Sequence, residues 1–182
     1  MSKLAITKMQ DTLSLEIVDF ALNYAKEFGW AVFPLHSITP DGFCTCGQAS
    51  CKSEGKHPRT KQGSLDASAD PAVIEAWFAD PDLPESNIGV ATGKISDLVV
   101  VDVDTDKGAE ISDLVFGDLD YTIFNTPKVK TGRGLHFYYK LPAGVTVKNS
   151  ASRLGQLSTF AAMAVTWLPR HQSISPDATI SS

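Results

Sequence analysis

No apolar run in this 182-residue chain approaches the ~20 residues that a membrane-spanning helix needs. The opening stretch, "MSKLAITKMQ", has neither the apolar core nor the small-residue cleavage site of a secretory signal, so the protein is expected in the cytoplasm. Cysteine is scarce and odd in number: three residues make no disulfide frame and read instead as thiols or metal ligands. A basic excess is missing too. The net charge of −5 argues against an acidic polymer wrapped over the whole surface, because such binding comes from basic patches. A local groove stays open, since Lys and Arg gather in "CKSEGKHPRTKQG" and "TPKVKTGRG". There is no internal repeat and no interior linker, and the length suits one domain with a real core.

What is present alternates between helix and strand. "LEIVDFALNYAKEFG" brings Ile17, Phe20, Ala21, Tyr24, Ala25 and Phe28 near one helical face and stops at Gly29. "WAVFPL" reads as a short buried strand. "DPAVIEAWFADP" reads as a second helix, with Asp70 as N-cap, Pro71 at the first helical position and Ile74, Trp77 and Phe78 facing inward. Three further strands are expected at "NIGVATG", "LVVVDVD" and "LHFYYKLP", with a short helix, "GAEISDLVFG", after the second. This order predicts an α+β or mixed α/β fold. The polar segment from His36 to Leu65 is too long for an ordinary connection, so it is functional or stapled by a metal.

Three clusters could carry chemistry. In "LVVVDVD", strand alternation puts Asp102 and Asp104 on one face and Val101 and Val103 on the other. Carboxylates roughly 6 to 7 Å apart along a strand repel unless a cation lies between them, and Mg²⁺ or Mn²⁺ suits them because it keeps positions open for phosphate. The bland reading is a strand end whose acids face solvent. In "KTGRGLHFYY", His136 projects opposite Leu135, Phe137 and Tyr139 directly after a Gly-rich turn, with Lys130 and Arg133 as cationic donors for phosphate. A structural histidine is the alternative. In "CTCGQASCKSEGKHPR", Cys44, Cys46, Cys51 and His57 offer soft thiolates and an imidazole for a tetrahedral Zn²⁺ of structural type; buried or redox cysteines are the alternative. Lys56 and Arg59 of that loop are further candidates for phosphate.

These pieces in this order resemble the bifunctional DNA primase/polymerase N-terminal domain, the prim-pol branch of the archaeo-eukaryotic primases. The likeness rests on "ALNYAKEFGWAVFPL", the Cys-x-Cys … "GKHP" loop, "NIGVATGKISDLVVVDVD" and "GRGLHFYY", most of residues 15 to 145. It implies a catalytic core of mixed sheet flanked by helices with a small zinc-binding loop. By the same resemblance Asp102 and Asp104 bind the catalytic Mg²⁺ or Mn²⁺, His136 contacts the incoming nucleotide, and the cysteine loop is a zinc stem with His57 its least certain ligand. The implied reaction is template-directed nucleotidyl transfer in replication initiation by the two-metal scheme. DNA template and primer, nucleoside triphosphates and a replicative helicase are the implied partners.

One part of the family pattern is absent. The resemblance calls for a third carboxylate some two dozen residues after the histidine, in a segment like "DIRGDGGYVVAPPS". Here the chain reads "STFAAMAVTWLPRHQS", with no acidic residue from Ser158 until Asp177. Codons exist for Leu157 to Gln172 whose reading shifted by one base is Val-Asp-Ile-Arg-Gly-Asp-Gly-Gly-Tyr-Val-Val-Ala-Pro-Pro-Ser. Met163 and Trp167 each have a single codon, so the base they lend to the shifted frame is forced, and it still yields Gly and Val. The expectation is therefore a chain in frame to about Gly155: an incomplete prim-pol domain over 1–155, then a poorly ordered, out-of-frame tail over 156–182. A genuine C-terminal helix is the alternative. The activity is expected to be impaired and the sheet to lack a core strand. Two other function classes stand beside this one: a noncatalytic, zinc-stabilised module binding single-stranded nucleic acid, and a metal-dependent nuclease or other phosphotransferase.

Overall fold

The computed structural model describes residues 17–81, 86–104, 126–130, 134–147, 150–151, 158–161 and 165–168, the last three stretches by backbone alone. The chain divides into two compact units, residues 1–91 with 167–171 and residues 92–166 with 172–182. Helices and antiparallel sheets make this an α+β fold.

In the first unit, helix α1 covers residues 17–28 and buries Ile17, Ala21, Tyr24 and Ala25, while Phe20 and Phe28 are half-buried. Gly29 ends it with φ +69°, a conformation that costs a residue with a Cβ. Its N–H donates to the Ala25 carbonyl at 3.0 Å, and that of Trp30 reaches back to Tyr24 at 3.2 Å. Trp30, 1% exposed, then stacks on Phe28 with ring centroids 4.7 Å apart. Strand β1, Val32–Leu35, pairs antiparallel with β2, Asn87–Ala91, in a register that sets Val32 against Val90 and Leu35 against Asn87. Both strands are buried on both faces, as short continuous apolar runs suggest. The sheet order is β1-β2-β8, with β8 at Val165–Leu168.

Helix α2, Pro71–Phe78, starts as the sequence requires: Asp70 Oδ1 accepts from the Ala72 N–H at 2.9 Å, and Pro71 sits where no intrahelical donor is needed. Ile74 and Phe78 face the core, each burial contributing about 1.5–3 kcal/mol. Trp77, expected to face inward with them, is only half-buried. It lies three positions from Ile74 but beside Phe78, off the centre of the apolar stripe, and it lines a cavity instead.

The second unit is built on a five-stranded sheet of order β4-β5-β3-β7-β6, in which β3 is Leu98–Asp104, β4 Lys128–Lys130, β5 Gly134–Lys140, β6 Ser150–Ala151 and β7 Ser158–Ala161. All its ladders are antiparallel, where a mixed sheet was expected. The connection of three residues from β4 to β5 permits only a hairpin, since a parallel pair needs a crossover of a dozen residues or so. Leu98, Val100 and Val101 of β3 and Val129, Phe137 and Tyr138 of its neighbours are all buried. The expected gap in the sheet is closed by β7, and β8 replaces the helix allowed as an alternative. Phe160, Val165 and Trp167 are good strand formers, and the shifted reading is equally able to pair, so a strand here does not choose between frames. The helix expected at "GAEISDLVFG" and the tail beyond 168 lie outside the described residues.

Candidate functional site

The loop after β1 is held by its own hydrogen bonds. The His36 N–H donates to the His57 carbonyl at 2.9 Å, the Arg59 N–H to Pro34 at 3.0 Å and the Thr45 N–H to Ser37 at 2.9 Å. These fold "CTCG" back against "GKHP". As a result one ligand atom from each of Cys44, Cys46, Cys51 and His57 lies within 4.8 Å of all the others. A tetrahedral zinc with bonds of about 2.3 Å needs sulfurs about 3.8 Å apart, so the four donors close onto the ion with small rotations. Cys44 is buried, with its Sγ 3.5 Å from His57 Nε2 and accepting from the Gly55 N–H at 3.5 Å. Burial raises the Cys44 thiol, yet the backbone N–H groups of Gly55 and Cys46, the Cys46 thiol and His57 outweigh it, and its pKa falls to about 6. A thiolate-prone sulfur beside an imidazole is what a soft divalent ion requires. For Cys51 the Ser53 N–H lowers the pKa, but desolvation and the neighbouring Cys46 and Cys44 sulfurs reverse it, and the thiol is pushed up. The cluster could hold zinc, with no position left open for substrate.

Sequence alone misses the residues behind these ligands. Asn87, buried at the start of β2, donates its amide to the Gly55 carbonyl at 3.0 Å and to the His36 carbonyl at 3.3 Å. It thereby ties the loop to the sheet at both ends. The His36 ring lies 4.2 Å from that of His57, and its Nδ1 is 3.0 Å from Thr45 Oγ1. Burial first, then the fields of His57 and Arg59, lower its pKa to about 4, which keeps the ring neutral at pH 7. The only signal for Asn87 is a polar residue opening an apolar strand. Lys56 is exposed on the same loop. Arg59 donates through Nη1 to Ser86 Oγ at 3.2 Å and borders the cavity that Trp77 lines.

In the second unit β3 runs between β5 and β7, and its register decides what faces the carboxylates. Asp102 stands opposite His136 on one side and Thr159 on the other. Asp102 Oδ1 and His136 Nε2 are 3.2 Å apart, both half-buried. Asp104, two residues on, is opposite Gly134. Tyr138, two residues along β5 from His136, is fully buried with its ring centroid 6.4 Å away. The core therefore covers that face up to the histidine, where the polar ground begins. Thr126 Oγ1 donates to the Tyr138 carbonyl and anchors the approach to β4. The side chains of Asp104 and Lys130, and all of Arg133, lie outside the described residues.

A strand ending in Asp-x-Asp, paired to a histidine strand after a Gly-rich turn, and a four-donor Cys/His loop thus occur together in one chain. The family model for the N-terminal domain of bifunctional DNA primase/polymerases matches residues 21–172. The chain belongs to that family. No curated protein and no solved structure matches it.

Primase/polymerase-type function in general follows from the family, and with it the binding of nucleic acid and nucleotides. The donor sets differ in how well they suit the metals the family implies. The Cys/His loop fits zinc. Among the described residues, the cross-strand neighbours of Asp102 are an imidazole and a threonine, neither of them a carboxylate. Among the described residues no helix is long and apolar enough to cross a membrane.

Proposed function

We propose that this chain is the nucleotidyl-transfer domain of a DNA primase/polymerase acting in replication initiation, with an impaired centre. Asp102 and Asp104 are its residual metal carboxylates for Mg²⁺ or Mn²⁺. His136, Lys130 and Arg133 receive the phosphates of the incoming nucleotide, while Lys56 and Arg59, which belong to the first unit, offer phosphate contacts of their own. Zinc at Cys44, Cys46, Cys51 and His57 is structural. A divalent ion held by Asp102 and Asp104 would supply charge neutralisation for the phosphates; the chain's own contribution is to orient the nucleotide through His136, which Asp102 holds by their 3.2 Å contact.

The observation that carries the impairment is the register at position 159. A third carboxylate on the strand beside β3 has its natural place opposite Asp102, and the chain has Thr159 there. The aspartate of the shifted reading is written across the codons of Ser158 and Thr159, so frame and register converge on one position. The reading thus divides the chain near Gly155 into an intact part, 1–155, and an out-of-frame segment, 156–182.

The nucleotide sequence across the codons for Gly155 to Gln172 tests the frame directly. A primer-extension assay on the full chain with Mn²⁺ tests the centre: trace incorporation at most, removed by Asp102→Ala, is expected. Robust synthesis by the chain as it stands sinks the impairment. A second reading, a noncatalytic zinc-stabilised module for single-stranded nucleic acid, is favoured by the contrast between the assembled Cys/His cluster and the carboxylate-poor centre. It predicts binding of single strands with no incorporation, even after position 159 is made acidic.

A further inference from the structure

The first unit contains a cavity of about 400 Å³ bordered by Pro34, Arg59, Lys61, Gln62, Asp66 and Trp77. Its volume is within the range of small-ligand sites. One wall is the half-buried indole of Trp77, which the sequence pattern would have put in the core. Thr60, Lys61, Gln62 and Asp66 of the lining belong to a pinned turn: Thr60 Oγ1 donates to the Gly63 carbonyl at 2.7 Å, and the Gln62 N–H donates to Asp66 Oδ2 at 2.8 Å. That bond occupies an oxygen of Asp66, the one carboxylate on the rim among the described residues. Arg59 is steadied by Ser86 and lies in the field of Asp80, while Lys61 is exposed.

A large aromatic surface left half-open beside two cations is costly for a core and useful for a nucleobase, whose face stacks on the ring while its phosphate meets the cations. We propose that this cavity is a subsite for one nucleotide unit of single-stranded DNA, with the base on Trp77 and the phosphodiester on Lys61 and Arg59. With Asp66 on the rim and Asp80 against Arg59, the site is weakly positive at most. That matches the single charge of a phosphodiester and not the several charges of a free triphosphate. The subsite rests on the nucleic-acid reading above but does not depend on the carboxylate centre, so it operates in a catalytically impaired chain.

The test is fluorescence anisotropy of a dye-labelled oligo(dT), without nucleotide, against the full chain over a series of salt concentrations. Trp77→Ala is expected to weaken binding about 5- to 100-fold, and Trp77→Phe, which keeps a stacking face, to restore most of it. Lys61→Ala, at an exposed position that leaves the fold alone, lowers the slope of log affinity against log salt by roughly 0.7. If Trp77→Ala and Lys61→Ala both bind like the parent, the subsite is wrong while the nucleic-acid reading stands. If the parent chain binds no single strand at low salt, both fall. If dTTP displaces the oligonucleotide from the parent but not from Trp77→Ala, the cavity holds free nucleotide and the assignment to a strand is overturned.

Discussion

The Cys/His loop and the carboxylate strand are the two candidate metal sites of the chain, and they differ in how far the structure assembles them. In the loop the four donors Cys44, Cys46, Cys51 and His57 are drawn together by backbone hydrogen bonds and by Asn87. On β3 the Asp102 carboxylate has found His136, while its other cross-strand neighbour is Thr159. The difference teaches how each kind of site is made. Donors close in sequence on one loop need only local turns to converge, so the loop survives whatever happens downstream. Donors on neighbouring strands depend on segments some fifty residues apart in sequence, and a change in one strand removes a ligand without disturbing the pairing.

Breaking the assembled side should have the largest effect. Cys44→Ser, or strong chelation of the native protein, is expected to release stoichiometric zinc. It also removes a large part of the ~10–16 kcal/mol that structural zinc supplies in small domains. Elemental analysis with a thermal melt checks this; zinc-free protein that melts at the same temperature refutes it. Completing the poorer side comes next. Thr159→Asp should raise Mn²⁺ affinity at least about tenfold, or ~1.4 kcal/mol, in a calorimetric titration, and bring incorporation that Asp102→Ala abolishes. Unchanged affinity means that the missing ligand belongs elsewhere.

Smaller changes sharpen the contrast. Asn87→Ala strips the buried Gly55 carbonyl and the half-buried His36 carbonyl of a donor and should cost about 1–3 kcal/mol, read as a lower urea midpoint. Added zinc should recover part of that loss, because the ion holds the same loop. The mildest is Gly29→Ala, about 1 kcal/mol, since φ +69° at the end of α1 disfavours a Cβ. It serves as the control: zinc should not rescue it.

Much of this was legible in the residues themselves. The stop at Gly29, the Asp70 and Pro71 start of α2, the strands containing "NIGVA" and "LVVVDVD" and the four donors of the loop all follow from local chemistry: capping, fixed φ, side-chain period and ligand type. The family, too, was readable from the order of the motifs. Local rules did not reach the strands β4, β6, β7 and β8, which are short and take their stability from the neighbour they pair with. Only tertiary structure decided that Asn87 ties the loop, that Trp77 opens onto a cavity beside Arg59 and Lys61, and that Thr159 stands opposite Asp102. Each of these depends on register between distant segments, and a ladder slipped by one residue would exchange every partner while leaving the sequence pattern intact.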